Sequence, residues 1–265
     1  MKITVFALTL AAVAVAVYLF AQPARSAETG GAAPPVADAK SAAGFAVVEL
    51  FTSQGCSSCP PADRVLQSLS RQAHEDGLPV YALSYHVDYW DGLGWPDPYA
   101  SKQATHRQYA YAQAFRSSRV YTPQMIVNGQ TEFVGSRGRL AEQAVQSALA
   151  AAAEQHLAIR DLRRDDQNVT AQIELTGETP PGSTLLVALV EPNRTNAVPR
   201  GENRGRELSH TAVVRDFVQL DAGAAAEAVK LRIPEDADGH PLELIAFVQE
   251  GVAGPIRAAA KQAVP

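Results

Sequence analysis

The chain has 265 residues, 46% hydrophobic and 19% charged, a globular composition that excludes wholesale disorder. Its formal charge of −5 gives no global electrostatic reason to bind nucleic acid or an anionic membrane. With 2 cysteines in all, a four-cysteine zinc ribbon, a cysteine-ligated iron–sulfur cluster and a multi-disulfide scaffold are excluded, and one thiol pair is left.

After Lys2 comes an uncharged, mostly apolar run from Ile3 to Ala21, then the small and polar residues Gln22-Pro23-Ala24-Arg25-Ser26-Ala27. A basic start, an apolar middle and small residues before a cut are the layout of a secretory signal, so residues 1–27 are expected to direct export to the periplasm or beyond. The run approaches the roughly 20 residues that cross a bilayer. An uncleaved inner-membrane anchor through residues 3–21 is therefore the alternative, and only then is the membrane a partner. Residues 28–44, rich in Ala, Gly and Pro, read as a disordered spacer.

From residue 45 to 155 the pattern alternates between strand and helix. Ala46 to Thr52 is a β-rich run, broken by Gln54-Gly55-Cys56-Ser57-Ser58-Cys59-Pro60-Pro61. A helix with Val65, Leu66 and Leu69 on one face follows and stops before Gly77, and Pro79 to Val87 is a second strand. A loop with Trp90, Gly92, Gly94, Pro96 and Pro98 leads into a polar helix from about Tyr99 to Phe115. Gln124 to Val127 and Thr131 to Val134 flank Asn128-Gly129, a type I′ hairpin signal, and Leu140 to Glu154 is the last helix. The order βαβαββα is that of the thioredoxin fold, with the first two strands parallel across a helical crossover.

Residues 156–265 change character. Val169 to Leu175, Leu185 to Val190, Val213 to Leu220, Ala228 to Ile233 and Leu242 to Gln249 are strand candidates separated by Gly-, Pro- and Asp-rich breaks. Strands without intervening helices predict a mainly antiparallel β domain, or a sheet extension packed on the first half.

The chemistry sits at Cys56 and Cys59. A Cys-x-x-Cys directly after a strand and opening a helix, in an exported chain, points to thiol–disulfide exchange, because helix N-terminal N–H groups favour the thiolate that does the work. Cys56 is expected as the nucleophile and Cys59 as the resolving thiol. Pro60 and Pro61 place the dithiol in a turn just outside the helix, so the pKa of Cys56 should be lowered but not extreme. A purely structural role is poorly served by so small a loop: closing it removes only about 2 kcal/mol of chain entropy, against about 3 for a 15-residue loop. The other reading is a metallochaperone-like binding protein in which Cys56, Cys59 and His86 hold copper or zinc. His86 and Asp88, after the second strand, are also candidates to carry protons near Cys59. Thr122-Pro123, just before the hairpin, would bring its backbone beside the dithiol if cis.

Phe51 to Asp63, His86-Val87-Asp88-Tyr89-Trp90-Asp91, Val120 to Met125, Arg200 to Arg206 and Phe247-Val248-Gln249 together resemble the domain-of-unknown-function 1223 family, exported bacterial proteins with a thioredoxin-like fold. The thioredoxin resemblance implies that Pro123 is a cis-proline facing Cys56, that Cys56 attacks and that Cys59 resolves. Gly55 stands where thioredoxin carries an aromatic residue, and no lysine follows the motif, so thioredoxin's own substrate range and potential do not carry over.

The basic, glycine-containing stretch Arg200 to Arg206 is expected to be a solvated hairpin. The helix bearing Lys102, His106, Arg107, Tyr109, Tyr111 and Arg116 is read as polar face and flank. The resulting expectation is an exported, cofactor-free oxidoreductase working through a redox-active disulfide on protein disulfide substrates. With no third cysteine to reload the pair, an external redox partner is required. A non-catalytic binding module is the remaining alternative.

Overall fold

The computed structural model describes residues 44–224 and 228–265. The expected signal segment and nearly all of the expected spacer lie outside the described residues; Gly44, the spacer's last residue, is already buried. Among the described residues no helix is long and apolar enough to cross a membrane.

The first half runs β1 (Ala46–Thr52), α1 (Pro60–Glu75), β2 (Val80–His86), a 3-10 turn (Asp88–Leu93), α2 (Lys102–Ala114), β3 (Gln124–Val127), β4 (Thr131–Val134) and α3 (Gly138–Ala150). The second contains β5 (His156–Arg164), β6 (Asn168–Thr176), β7 (Thr184–Val198), β8 (Arg206–Asp221), β9 (Ala228–Arg232), β10 (Glu243–Gln249) and β11 (Ile256–Ala263). The result is a mixed α/β fold with a large, mainly antiparallel sheet.

An eight-stranded sheet in the order β11-β10-β7-β8-β2-β1-β3-β4 crosses the midpoint of the chain. The second half is therefore a sheet extension, joined where β8 lies parallel to β2 at Ser84 and Val213. β1 and β2 are parallel from Ala46↔Val80 to Thr52↔His86, which brings the last residues of both strands to one edge. A smaller sheet, β5-β6-β9, covers the other face of the extension.

The continuous apolar run in β7 follows from this layering. Side chains alternate across a strand, so Leu186, Ala188 and Val190 enter the core shared with β1, β2 and the helices. Leu185, Val187 and Leu189 enter the second core, under the small sheet. A strand buried on both faces has no polar face to show.

Two helices are shorter than the pattern implies. α2 begins after Ser101, whose side chain accepts from the Ala104 N–H, rather than at Tyr99, and α3 stops at Ala150, where Ala151 turns extended. Arg107 and Tyr111 are buried rather than polar flank, while Lys102, His106 and Tyr109 stay exposed.

The β3–β4 turn has positive φ at both Asn128 (48°) and Gly129 (65°), as a type I′ turn requires. A Cβ on Gly129 would lie 2.1 Å from the Gly254 carbonyl oxygen, in the turn between β10 and β11. Gly129→Ala is expected to destabilise by about 2–4 kcal/mol. The check is a lower urea midpoint at unchanged slope.

Candidate functional site

β1 delivers the chain at Thr52, and the turn that follows carries both cysteines. Cys56 and Cys59 form a disulfide with Cα atoms 5.4 Å apart. The Cys56 N–H donates to the Ser53 carbonyl at 3.2 Å, and the Cys59 N–H to the Cys56 carbonyl at 3.2 Å. α1 begins at Pro60, so the pair stands just ahead of the helix, with Cys59 as its cap residue. Cys59 adopts helical angles (φ −77°, ψ −39°) although it precedes a proline, against the usual bias. Pro60 and Pro61 have no N–H to offer, which halves the set of free donors in the first turn and weakens what the helix end can give a thiolate. Ser58 Oγ, 3.4 Å from Cys56 Sγ, is a compensating polar neighbour.

Gly55 packs closely against Trp90, since a Cβ there would lie 3.0 Å from Trp90 Cβ. Trp90 in turn donates from its indole to Thr122 Oγ1 at 2.9 Å, and the Thr122–Pro123 bond is cis. Gln108, on α2, grips the same segment through the Tyr121 carbonyl at 2.8 Å.

Behind the turn lies a buried polar network that hangs on Gln54. Its backbone N–H donates to Asp97 Oδ2 at 2.7 Å, and the same oxygen pairs with His86 Nδ1 at 2.7 Å. Burial alone would disfavour a charged His86, but the Asp97 carboxylate outweighs it and raises the pKa above the usual histidine value. Burial likewise works against the Asp97 charge, and His86 with the backbone donors outweighs it and lowers that pKa.

The Gln54 side chain fixes a second histidine. The Trp95 indole N–H, only ever a donor, lies 3.0 Å from one amide atom, which must be the carbonyl oxygen. The amide nitrogen therefore faces His210 Nε2 at 3.2 Å, which accepts and leaves the proton on Nδ1. That nitrogen points to Asp63 Oδ1 at 3.6 Å, and Asp63 accepts from Thr52 Oγ1 at 3.0 Å. The His86 and His210 rings meet edge to face at 4.7 Å. His86 Nε2 and His210 Nδ1 are buried without a hydrogen-bond partner.

The candidates that the sequence singles out thus divide. His86 joins the dithiol turn through Asp97 and Gln54, and Thr122 joins it through Trp90. Asp88 does not: its carboxylate accepts from Thr105 Oγ1 at 2.6 Å, and its N–H donates to that hydroxyl at 3.1 Å. Among the described residues no group of three or more His, Cys, Asp or Glu is placed to hold a metal ion. With both sulfurs in the disulfide, Cys56, Cys59 and His86 are not assembled as a ligand set here.

Arg200 to Arg206 is an exposed hairpin tip as expected, except at Asn203 and the partly covered Gly201. Asn203 has no exposed surface; its amide donates to the Gln54 carbonyl at 2.8 Å and the Cys56 carbonyl at 2.9 Å. Glu202 Oε2 accepts from the Ser57 N–H at 3.0 Å. Sequence reasoning also missed Gln54, Asp63, Asp97, Asn196 and His210. The usable signals were an aspartate fixed between Pro96 and Pro98, and a histidine inside an otherwise β-patterned stretch.

A single Cys-x-x-Cys disulfide at a strand-to-helix turn, backed by paired buried histidines and aspartates, defines the class of this mixed α/β protein. Residues 47–249 match the family model described as a protein of unknown function, DUF1223, and the chain belongs to that family. It is similar to the crystal structure of a structural-genomics target protein from Agrobacterium tumefaciens, with 28% identity and a TM-score of 0.56 over 83% of this chain and 94% of that one. Two structures of a β-glucosidase from Kluyveromyces marxianus reach TM-scores of 0.19 and 0.20 at 13% and 15% identity. They align over 43% and 48% of this chain and 14% and 16% of theirs, a level from which nothing follows. No curated protein matches the chain.

Proposed function

We propose that this protein is an exported, thioredoxin-like thiol–disulfide oxidoreductase. The observation that carries the reading is the Cys56–Cys59 disulfide at the junction of β1 and α1, in a chain with no other cysteine. It is supported by the order β2-β1-β3-β4, in which one pair is parallel and two are antiparallel, and by the cis Thr122–Pro123 bond on a segment tied to the dithiol turn through Trp90.

In the oxidative direction a substrate thiolate attacks one sulfur of the disulfide. A mixed disulfide forms with Cys56, and Cys59 leaves as a thiolate. A second substrate thiol then attacks the mixed disulfide, so the substrate departs oxidised and the protein holds two thiols and two more electrons. The reductive direction is the reverse, and the partner's potential selects between them. Thr122 and Pro123 align the substrate chain, and His86, held by Asp97, handles the proton. An external dithiol or disulfide protein must restore the pair.

Cys59→Ser tests this directly. The reduced variant should accumulate covalent adducts with a disulfide-containing peptide, resolvable by reductant, and Cys56→Ser should form none. Absence of adducts together with stoichiometric copper or zinc binding by the reduced wild-type protein would replace the reading with the metallochaperone one.

A further inference from the structure

Exchange at a disulfide needs an open line of approach to a sulfur, yet Cys56 and Cys59 both have 0% exposed surface. Ser57 and Ser58 between them are exposed, so the turn itself lies at the surface. Hydrogen-bonded to it is the connection between β7 and β8, residues 199–205, exposed apart from Asn203 and the partly covered Gly201. Asn203 spends both amide hydrogens on the carbonyls of Gln54 and Cys56, and its own oxygen accepts from Arg206 Nη1 at 2.9 Å. Glu202 occupies the Ser57 N–H, and the Ser57 hydroxyl together with that N–H keeps its carboxyl below the usual glutamate range. Farther down the hairpin, Asn196 exchanges two hydrogen bonds with the Gln54 side chain, at 2.6 and 2.9 Å.

We propose that the β7–β8 hairpin tip is a displaceable cover over the disulfide, latched by Asn203 and Glu202, that must lift before a sulfur can be attacked. The latch is built from a few side-chain hydrogen bonds, two buried at Asn203 and one exposed at Glu202, on an otherwise exposed loop that can open locally without unfolding the core. The inference rests on the exchange reading for its purpose, but the cover itself is measured without any biological substrate.

The test is the rate at which a water-soluble phosphine reduces the disulfide in wild type, Asn203→Ala and Glu202→Gln, with melting temperature followed in parallel. Asn203→Ala should be reduced about tenfold faster and melt somewhat lower, since two buried carbonyls lose their donor, and Glu202→Gln should be reduced about two- to fivefold faster at wild-type melting temperature. Rates no faster than wild type in both overturn the cover. So does acceleration confined to Asn203→Ala with a lowered melting temperature, which marks general loosening. If Asn203→Ala does not fold, Glu202→Gln decides alone, since its side chain lies at the surface. Failure of the Cys59→Ser adduct experiment beside accelerated phosphine reduction would remove the oxidoreductase reading and leave a shielded disulfide.

Discussion

Replacing Arg107 with methionine is expected to destabilise the protein by about 3–5 kcal/mol, a fall of roughly 6–20 °C in melting temperature for a domain of this size. Arg107 on α2 is buried and forms a two-pronged pair with Glu49 on β1, at 2.6 and 2.9 Å. Burial works against the guanidinium charge, and Glu49 more than restores it. Nη2 also donates to Tyr111 and Gln249, Nη1 is buried without a hydrogen-bond partner, and the guanidinium lies over the Tyr85, Tyr111 and Phe247 rings at 5.6, 4.9 and 5.3 Å. Removing the cation strands the Glu49 carboxylate in the sheet centre, which is where the large loss comes from. Glu49→Leu combined with Arg107→Met should recover most of it, because the pair's own attraction is largely offset by its desolvation. Calorimetric melting of the single and double variants checks both statements; a single variant that melts with wild type would show the pair to be dispensable. The consequence reaches the site, since the next residue, Gln108, holds the Tyr121 carbonyl beside Thr122–Pro123.

How far the sequence can be read follows from where each segment's side chains go. β1 and β3 lie in the core, and their apolar runs, with the Asn128-Gly129 turn that leads into the edge strand β4, mark the ends correctly. β5 and β11 give no such signal. β5 buries Leu157 and Ile159 but shows arginines on the other side, and β11 is an alanine-rich edge strand with little β propensity. The greatest shortfall is in β7 and β8, where the apolar pattern covers only Leu185 to Val190 and Val213 to Leu220. Beyond Glu191 and Val213 they continue as a two-stranded ribbon whose partners are each other. Asn196, Asn203 and His210 on this ribbon and its tip are polar because they bind the dithiol turn, so hydrophobic periodicity has nothing there to detect. The cysteines are legible because their chemistry lies in local spacing. Their support comes from up to 156 residues away, as between Gln54 and His210, and no local pattern encodes that distance.

Asp97→Asn is expected to destabilise by about 2–4 kcal/mol at neutral pH and to change how stability depends on pH. Asp97 accepts from the Gln54 N–H and His86 Nδ1 through one oxygen, and from the Tyr99 N–H at 2.9 Å through the other. An asparagine has one acceptor oxygen for these donors, so its NH2 group must face a buried N–H. The pH dependence follows from two opposite shifts. The folded pKa of His86 lies above 6.5, so its contribution is complete below 6.5 and is lost as pH rises through the folded value. The folded pKa of Asp97 lies below 3.8, so its contribution is present above 3.8 and is lost as pH falls through the folded value. The pair therefore stabilises most between those limits. Nearby Asp63 reinforces the His86 charge and Arg215 opposes it. Wild-type melting temperature should decline from pH 6.5 upward, and Asp97→Asn should flatten that decline while sitting lower at acidic to neutral pH. If the slope survives the substitution, the titrating group is not His86. Because the Gln54 N–H loses its carboxylate acceptor, the variant should also expose its disulfide to phosphine faster than wild type, tying the buried histidine pair to the freedom of the turn that carries Cys56.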